Sequence, residues 1–257
     1  MSIAVLQEKI RARKTPVALE LSPVFEKISP RIVKGFANIF GDAAQTKTES
    51  LRYHCTELLE AAEPLLPAVV LDASAFLRYG YLGLEVLENL THIARGKGFY
   101  TIVDAKTTDP ALFLEGSGAA DAVTVTPYLG SDSYAAPEGK AVFVVLRTAN
   151  SSAGEVQNLM AGDRKLYAAV GEQVAHRGGE AGVVIGTGYS LDIRDLRRRT
   201  ERTFFLLPHC GPEAASYGCD EFGRGILVPD ANLEWAEDPA VAMADAIRKM
   251  KKWITIV

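Results

Sequence analysis

The chain of 257 residues has no apolar run near the ~18 residues that a membrane-spanning helix needs, so no membrane partner is expected. It has only three cysteines, Cys55, Cys210 and Cys219. They are too few and too scattered for a disulfide framework, and a reducing cytoplasm is the expected compartment. With four histidines, no His/Cys spacing resembles a zinc site. Basic blocks are absent and the formal net charge is −4, which argues against nucleic acid as a partner. The N-terminal stretch mixes charges with Ile3, Leu6 and Ile10 at helical spacing. It reads as a helix over 2–14 and not as a signal peptide.

What is present is a globular composition, 48% hydrophobic and 23% charged. The length suits one α/β barrel of about 250 residues. Short apolar runs, each a candidate buried strand, fall at 16–21, 68–71, 98–103, 121–125, 141–147, 182–186, 203–207 and 225–229. Helical stretches fall between them, at about 44–66, 81–95, 163–177 and 190–198, with a last one at 239–251. Continuous apolar strands alternating with helices imply a parallel sheet, and eight such units close as a (β/α)8 TIM barrel. No linker divides the chain, so residues 1–257 are expected to form one domain. Chemistry in such barrels gathers at the C-terminal ends of strands.

The third run ends in Asp104-Ala105-Lys106-Thr107-Thr108-Asp109-Pro110. Residues i and i+2 of a strand share a face, so Asp104 and Lys106 are expected side by side, with Asp109 returning toward them. A structural ion pair closing a strand is the plainer reading. A catalytic carboxylate–ammonium array is the sharper one, because an ammonium between carboxylates stays protonated and can act as an acid.

This Asp-x-Lys-x-x-Asp motif is followed by Ala120-Asp121-Ala122-Val123-Thr124-Val125-Thr126-Pro127-Tyr128-Leu129-Gly130-Ser131-Asp132-Ser133 and then by Val142 to Asn150. In that order the stretches resemble the orotidine 5'-monophosphate decarboxylase family, in its longer bacterial and protozoan branch. The likeness runs from about Pro16 to the C-terminus and is most specific over 98–150. It implies a homodimeric barrel that uses no metal or organic cofactor. It also implies that Asp104 crowds the substrate carboxylate, that Lys106 protonates the carbanion after CO2 leaves, and that Asp109 enters the partner's site.

Other positions depart from the family pattern. Leu71 stands where the family has a strand-two Lys, with Asp72 beside it. The first-strand Leu-Asp-Pro is Leu21-Ser22-Pro23, with Glu20 the nearby acid. Ala149 replaces a Ser that reads the pyrimidine ring, between Thr148 and Asn150. The phosphate loop is Pro208-His209-Cys210-Gly211-Pro212-Glu213-Ala214, and the clamping Ser-Arg falls at Ala231-Asn232. Carboxylates where a phosphate should sit repel it, and phosphate prefers Arg and backbone N–H groups. Candidate substrate contacts are therefore Glu20, Asp72, Thr126, Thr148, Asn150, His209, Glu213 and Asn232. Arg224 is a candidate to replace the missing phosphate-binding Arg.

Further features have plainer readings. His209-Cys210 is not expected to form a dyad, since adjacent residues point apart. His54-Cys55 reads as ordinary surface and core. Gly186-Thr187-Gly188 is either a tight turn or an oxygen-binding loop. The run Arg194-Asp195-Leu196-Arg197-Arg198-Arg199 reads as a solvated helix end. Four functions stay open: a diverged decarboxylase on an unphosphorylated substrate, an orotidine monophosphate decarboxylase with a rebuilt phosphate site, a non-catalytic relative that binds a ligand or partner, and a metal-dependent sugar-phosphate enzyme using Glu20 as an extra acid.

Overall fold

The structure is a computed structural model that describes residues 1–186, 190–230 and 232–257. Among the described residues ten strands occur: β1 (Ala18–Leu21), β2 (Ala68–Asp72), β3 (Tyr100–Thr107), β4 (Ala122–Val125), β5 (Ala141–Arg147), β6 (Met160–Ala161), β7 (Arg164–Lys165), β8 (Ala181–Ile185), β9 (Phe205–Cys210) and β10 (Gly225–Pro229). Eight of them form one sheet in the order β1-β2-β3-β4-β5-β8-β9-β10. All its pairs are parallel. Val17 lies beside Leu227, and the Leu227 N–H donates to the Pro16 carbonyl at 2.9 Å, bringing the last strand back to the first. The expected (β/α)8 barrel is the observed fold. Its strands are apolar almost throughout because helices cover them outside and packed side chains fill them inside.

The helices are α1 (Ile3–Arg13), α2 (Pro30–Phe40), α3 (Ala44–Ala62), α4 (Ala73–Leu77), α5 (Gly80–Gly96), α6 (Ala111–Leu114), α7 (Gly154–Gln157), α8 (Leu166–Arg177), α9 (Ser190–Thr200), α10 (Pro212–Gly218) and α11 (Pro239–Met250). The long helix expected at 44–66 stops at Ala62. An unexpected amphipathic helix, α2, packs on α3, with Phe36 edge-on to Tyr53. The helix expected from 163 starts at Leu166, because Met160–Ala161 and Arg164–Lys165 pair as an antiparallel hairpin turning at Gly162 (φ 71°). The strand expected at 203–207 is displaced to Phe205–Cys210, and the expected phosphate loop becomes a strand end followed by α10.

Three irregularities shape the mouth, one of them between β5 and β8, where the step from Val145 to Arg147 meets that from Val184 to Ile185. Between Val103 and Thr107, β3 advances four residues while β4 advances two, from Val123 to Val125. Between Leu207 and Cys210, β9 advances three residues while β10 advances two, from Leu227 to Pro229. Such bulges bend a strand and re-aim its side chains. Within them Lys106 (φ 49°) and His209 (φ 52°) take left-handed backbone, a conformation that costs a non-glycine residue roughly 1–3 kcal/mol.

Candidate active site

Asp104 and Lys106 do meet, as the sequence suggests, but not by simple strand alternation. The bulge and the left-handed Lys106 backbone bring Lys106 Nζ to 2.5 Å from Asp104 Oδ2. Thr124, buried on β4, holds both residues. Its hydroxyl donates to Asp104 Oδ1 at 2.6 Å and accepts from the Lys106 N–H at 2.9 Å. Half of the Lys106 side chain stays exposed (53%), so the ammonium faces the mouth.

Strands β2 and β1, next along the sheet, add acids. Asp72 stands in register with Asp104 on β3. One Asp72 oxygen accepts from the Ser22 hydroxyl at 2.8 Å, and the other from the N–H and hydroxyl of Ser74. Leu71 is fully buried in the wall and brings no cation to Asp104. Glu20 on β1 lies 3.8 Å from His209 Nε2. Burial pushes the Glu20 carboxyl above its ordinary range. Asp104 and Asp72 push the same way, while His209 and Lys106 pull against them. Glu20 therefore senses both sides of the mouth.

Between β1, β9 and β10 lies a cavity of about 220 Å³. Glu20, His209, Asp230, Asn232 and Glu234 supply its polar wall. Glu234 carries no sequence signal, since a lone acid after a strand is ordinary. It is 7% exposed, and Oε2 accepts from the Ser22 N–H at 2.9 Å. Burial raises its pKa to about 7, with Glu20 and Asp72 adding to the rise and the Ser22 N–H and Lys27 opposing it. His54, expected to be ordinary, stacks on Trp235 at 4.7 Å and puts Nε2 4.0 Å from Glu234 Oε1. Burial lowers the His54 pKa.

The remaining expected site residues scatter. Asp109 is exposed, and its Oδ1 accepts from the Ala111 N–H at 3.2 Å, opening α6. Thr148 and Asn150 bind each other at 2.6 Å, and Gln157 fixes Thr148 through both its amide atoms. Gln157 also accepts from Arg147 at 3.1 Å. Nothing in its sequence position marks that role. Thr126 lines a mainly apolar crevice between β5 and α8. Glu213 is exposed in the first turn of α10 and does not line the mouth cavity, because the helix begins where a loop was expected.

Arg224 is also corrected. It precedes β10, and Nε donates to Asp220 at 2.6 Å, so it sits at the opposite end of the barrel from Pro229. Cys210 is buried and its thiol is pushed up to about 12 by burial and by Asp230, which excludes a His–Cys nucleophile there. Gly186 is a close approach rather than a free turn: a Cβ would lie 2.9 Å from the Ala149 N atom. Thr187, Gly188 and Ala231, named in the sequence reading, lie outside the described residues. Among the described residues no group of three His, Cys, Asp or Glu side chains could hold a metal ion.

A parallel barrel gathers its chemistry at the C-terminal ends of its strands, where this carboxylate–ammonium pair stands. No family model matches the chain. A curated orotidine 5'-phosphate decarboxylase of Halobacterium salinarum is 30% identical over 192 residues, covering 66% of this chain and 72% of that protein. One of Caldicellulosiruptor bescii is 25% identical over 260 residues, covering 87% and 85%. The solved Leishmania donovani OMP decarboxylase superposes with a TM-score of 0.79 at 24% identity, over 98% of both chains. The chain belongs to the orotidine 5'-phosphate decarboxylase family and is a decarboxylase-like enzyme.

Proposed function

We propose that the protein is a cofactor-independent carboxy-lyase whose substrate carries a carboxylate but no 5'-phosphate. In this reading the substrate carboxylate lies against Asp104. The carbon–carbon bond breaks, CO2 leaves, the electron pair stays on carbon, and Lys106 Nζ delivers a proton to that carbon. Lys106 regains its proton from water. Repulsion between Asp104 and the departing carboxylate is relieved in the transition state, which is where an interaction must act to raise the rate. Asp109, exposed just after β3, fits a head-to-head homodimer in which it enters the partner's site.

The observation that carries the substrate choice is the mouth cavity. Its described wall holds Glu20, Asp230 and Glu234 and no Lys or Arg. A phosphate there would face carboxylates instead of the Arg and N–H donors it requires. Calorimetric titration with uridine monophosphate tests this directly, beside a CO2-release assay on orotidine monophosphate. We expect no saturable uridine monophosphate binding and negligible CO2. A second reading, orotidine monophosphate decarboxylation with a rebuilt phosphate site, is favoured by the names of the curated relatives. Low-micromolar nucleotide binding with brisk CO2 release would establish it instead.

A further inference from the structure

Two buried polar atoms face each other without a partner. Glu234 Oε1 and His54 Nε2 are both closed off from solvent, lie 4.0 Å apart, and make no hydrogen bond among the described residues. His54 comes from α3, and Glu234 from the short helical turn Leu233–Trp235 that follows β10. Both side chains are held in place. The His54 ring stacks on Trp235 at 4.7 Å, and Glu234 Oε2 accepts from the Ser22 N–H at 2.9 Å. Leaving a buried donor or acceptor unmatched is costly. The gap is about 1 Å longer than a hydrogen bond, and one shared hydrogen across it satisfies both atoms.

Which atom supplies that hydrogen depends on pH. Burial raises the Glu234 carboxyl to about 7 and lowers the His54 imidazole. Near neutrality the ring is therefore uncharged while the carboxyl changes state. Glu20 on β1 and Asp72 on β2 disfavour the charge of Glu234; the Ser22 N–H and Lys27, from the turn Phe25–Lys27, favour it. Asp230 lines the same cavity. Beside His54 on α3, Glu57 pulls the imidazole back up. Asp238, which opens α11, is committed to the Val241 N–H. A neutral imidazole has one donor and one acceptor nitrogen and can exchange them.

We propose that His54 and Glu234 form a pH-sensitive hydrogen-bond switch across α3 and the turn after β10, in which the contact is kept and its donor changes sides. On the acid side, Glu234 Oε1–H donates to Nε2, and the ring proton sits on Nδ1. On the alkaline side, Nε2–H donates to the Glu234 carboxylate. Between the two, the carboxyl proton passes to Nε2 and the Nδ1 proton leaves to water, so one proton is released and the ring stays neutral. The change reaches the mouth through Oε2. A carboxylate accepts more strongly than a carboxylic acid, so the Ser22 N–H is gripped harder on the alkaline side. The Ser22 hydroxyl donates to Asp72 at 2.8 Å, and Asp72 stands in register with Asp104. The switch thereby sets the charge of one wall of the mouth and the hold on Asp72, whichever substrate the mouth takes.

Nuclear magnetic resonance on the full, isotope-labelled chain tests this, because only four histidines are present. Ring nitrogens are followed from about pH 6 to about pH 9, the span in which such a switch operates. His54 is assigned by the loss of its signals in His54→Gln and by its contacts with the Trp235 ring. We expect His54 Nε2 to pass from an acceptor to an N–H with a midpoint near pH 7, and the Ser22 amide proton to move downfield with the same midpoint. In Glu234→Gln the His54 ring should keep one tautomer, and the Ser22 titration should vanish. Thermal melting reports whether the variants are folded, and the titration of the unaltered chain decides the matter if one is not. A single His54 tautomer throughout, a ring that is cationic at the midpoint, or a switch that persists in folded Glu234→Gln would overturn the proposal.

Discussion

The two ends of this barrel hold buried charge with different partners. At the end where strands begin, Arg197 is mostly buried and donates to the carbonyls of Glu201, Thr203, Gly218 and Arg224, with its guanidinium 3.8 Å over the Phe205 ring. Burial lowers its pKa to about 10. At the same end Asp121, fully buried before β4, accepts from the N–H and hydroxyl of Thr101, each at 3.0 Å. At the end where strands finish, Glu234 keeps an unmatched oxygen, and Lys106 and His209 hold left-handed backbone inside bulges. Each end also keeps an unmatched atom, Arg197 Nε at one and Glu234 Oε1 at the other, and left-handed backbone occurs at Lys14 and Glu201 where strands begin as well. The difference lies in the partners: the closed end meets its charges with carbonyls and Thr101, while the mouth sets carboxylates near one another and beside Lys106.

Exchanging the roles of the two ends is the severest way to break that contrast. Lys106→Ala at the mouth should lower turnover of the substrate, once identified, by about 10²–10⁴-fold, the span of a positioned general acid. Its melting temperature should hardly change, because a half-exposed pair contributes only about 0–1 kcal/mol. Normal turnover, or an unfolded barrel, would return Asp104 and Lys106 to a structural role. Arg197→Leu at the closed end should do the reverse. It strands several buried carbonyls and costs about 3 kcal/mol or more in urea unfolding, while ligand affinity of the folded fraction stays the same.

A subtler contrast lies in pH. The Glu234 pKa rises from 4.5 unfolded to about 7 folded, so the folded state holds the proton more firmly. This contribution is fully present below about pH 4.5 and is lost as pH climbs through about 7, a change of roughly 3 kcal/mol across the window. Glu234→Gln should flatten that fall in a series of denaturant titrations; an unchanged slope would contradict the assignment. The smallest effect is expected from Thr124→Val. It removes the 2.6 Å bond to Asp104, which should cost about 1 kcal/mol and slow turnover less than Lys106→Ala does.

Local sequence determined the barrel. Its eight apolar runs are buried on both faces, so each reads as a strand without knowledge of its neighbours. The same logic places Asp104 and Lys106 at a mouth, since both follow the apolar part of β3. Helix α2 carries legible signals, Pro30 at its start, an apolar stripe and Gly41 at its end, and was passed over; a helix end such as Ala62 depends on what packs there. Arg197 looked solvated because the run around it is uniformly charged; only the packing of α9 shows that one of its arginines turns inward.

Tertiary structure alone decided the site around that pair. Thr124, Ser22, His54 and Glu234 come from four separate segments, and no spacing connects them. Arg224 and Asp230 lie six positions apart in the chain, yet β10 carries them to opposite ends of the barrel. The physical reason is that strand and helix formation depend on neighbouring residues. Burial, hydrogen bonding and charge at the mouth depend instead on residues joined only by closure of the sheet.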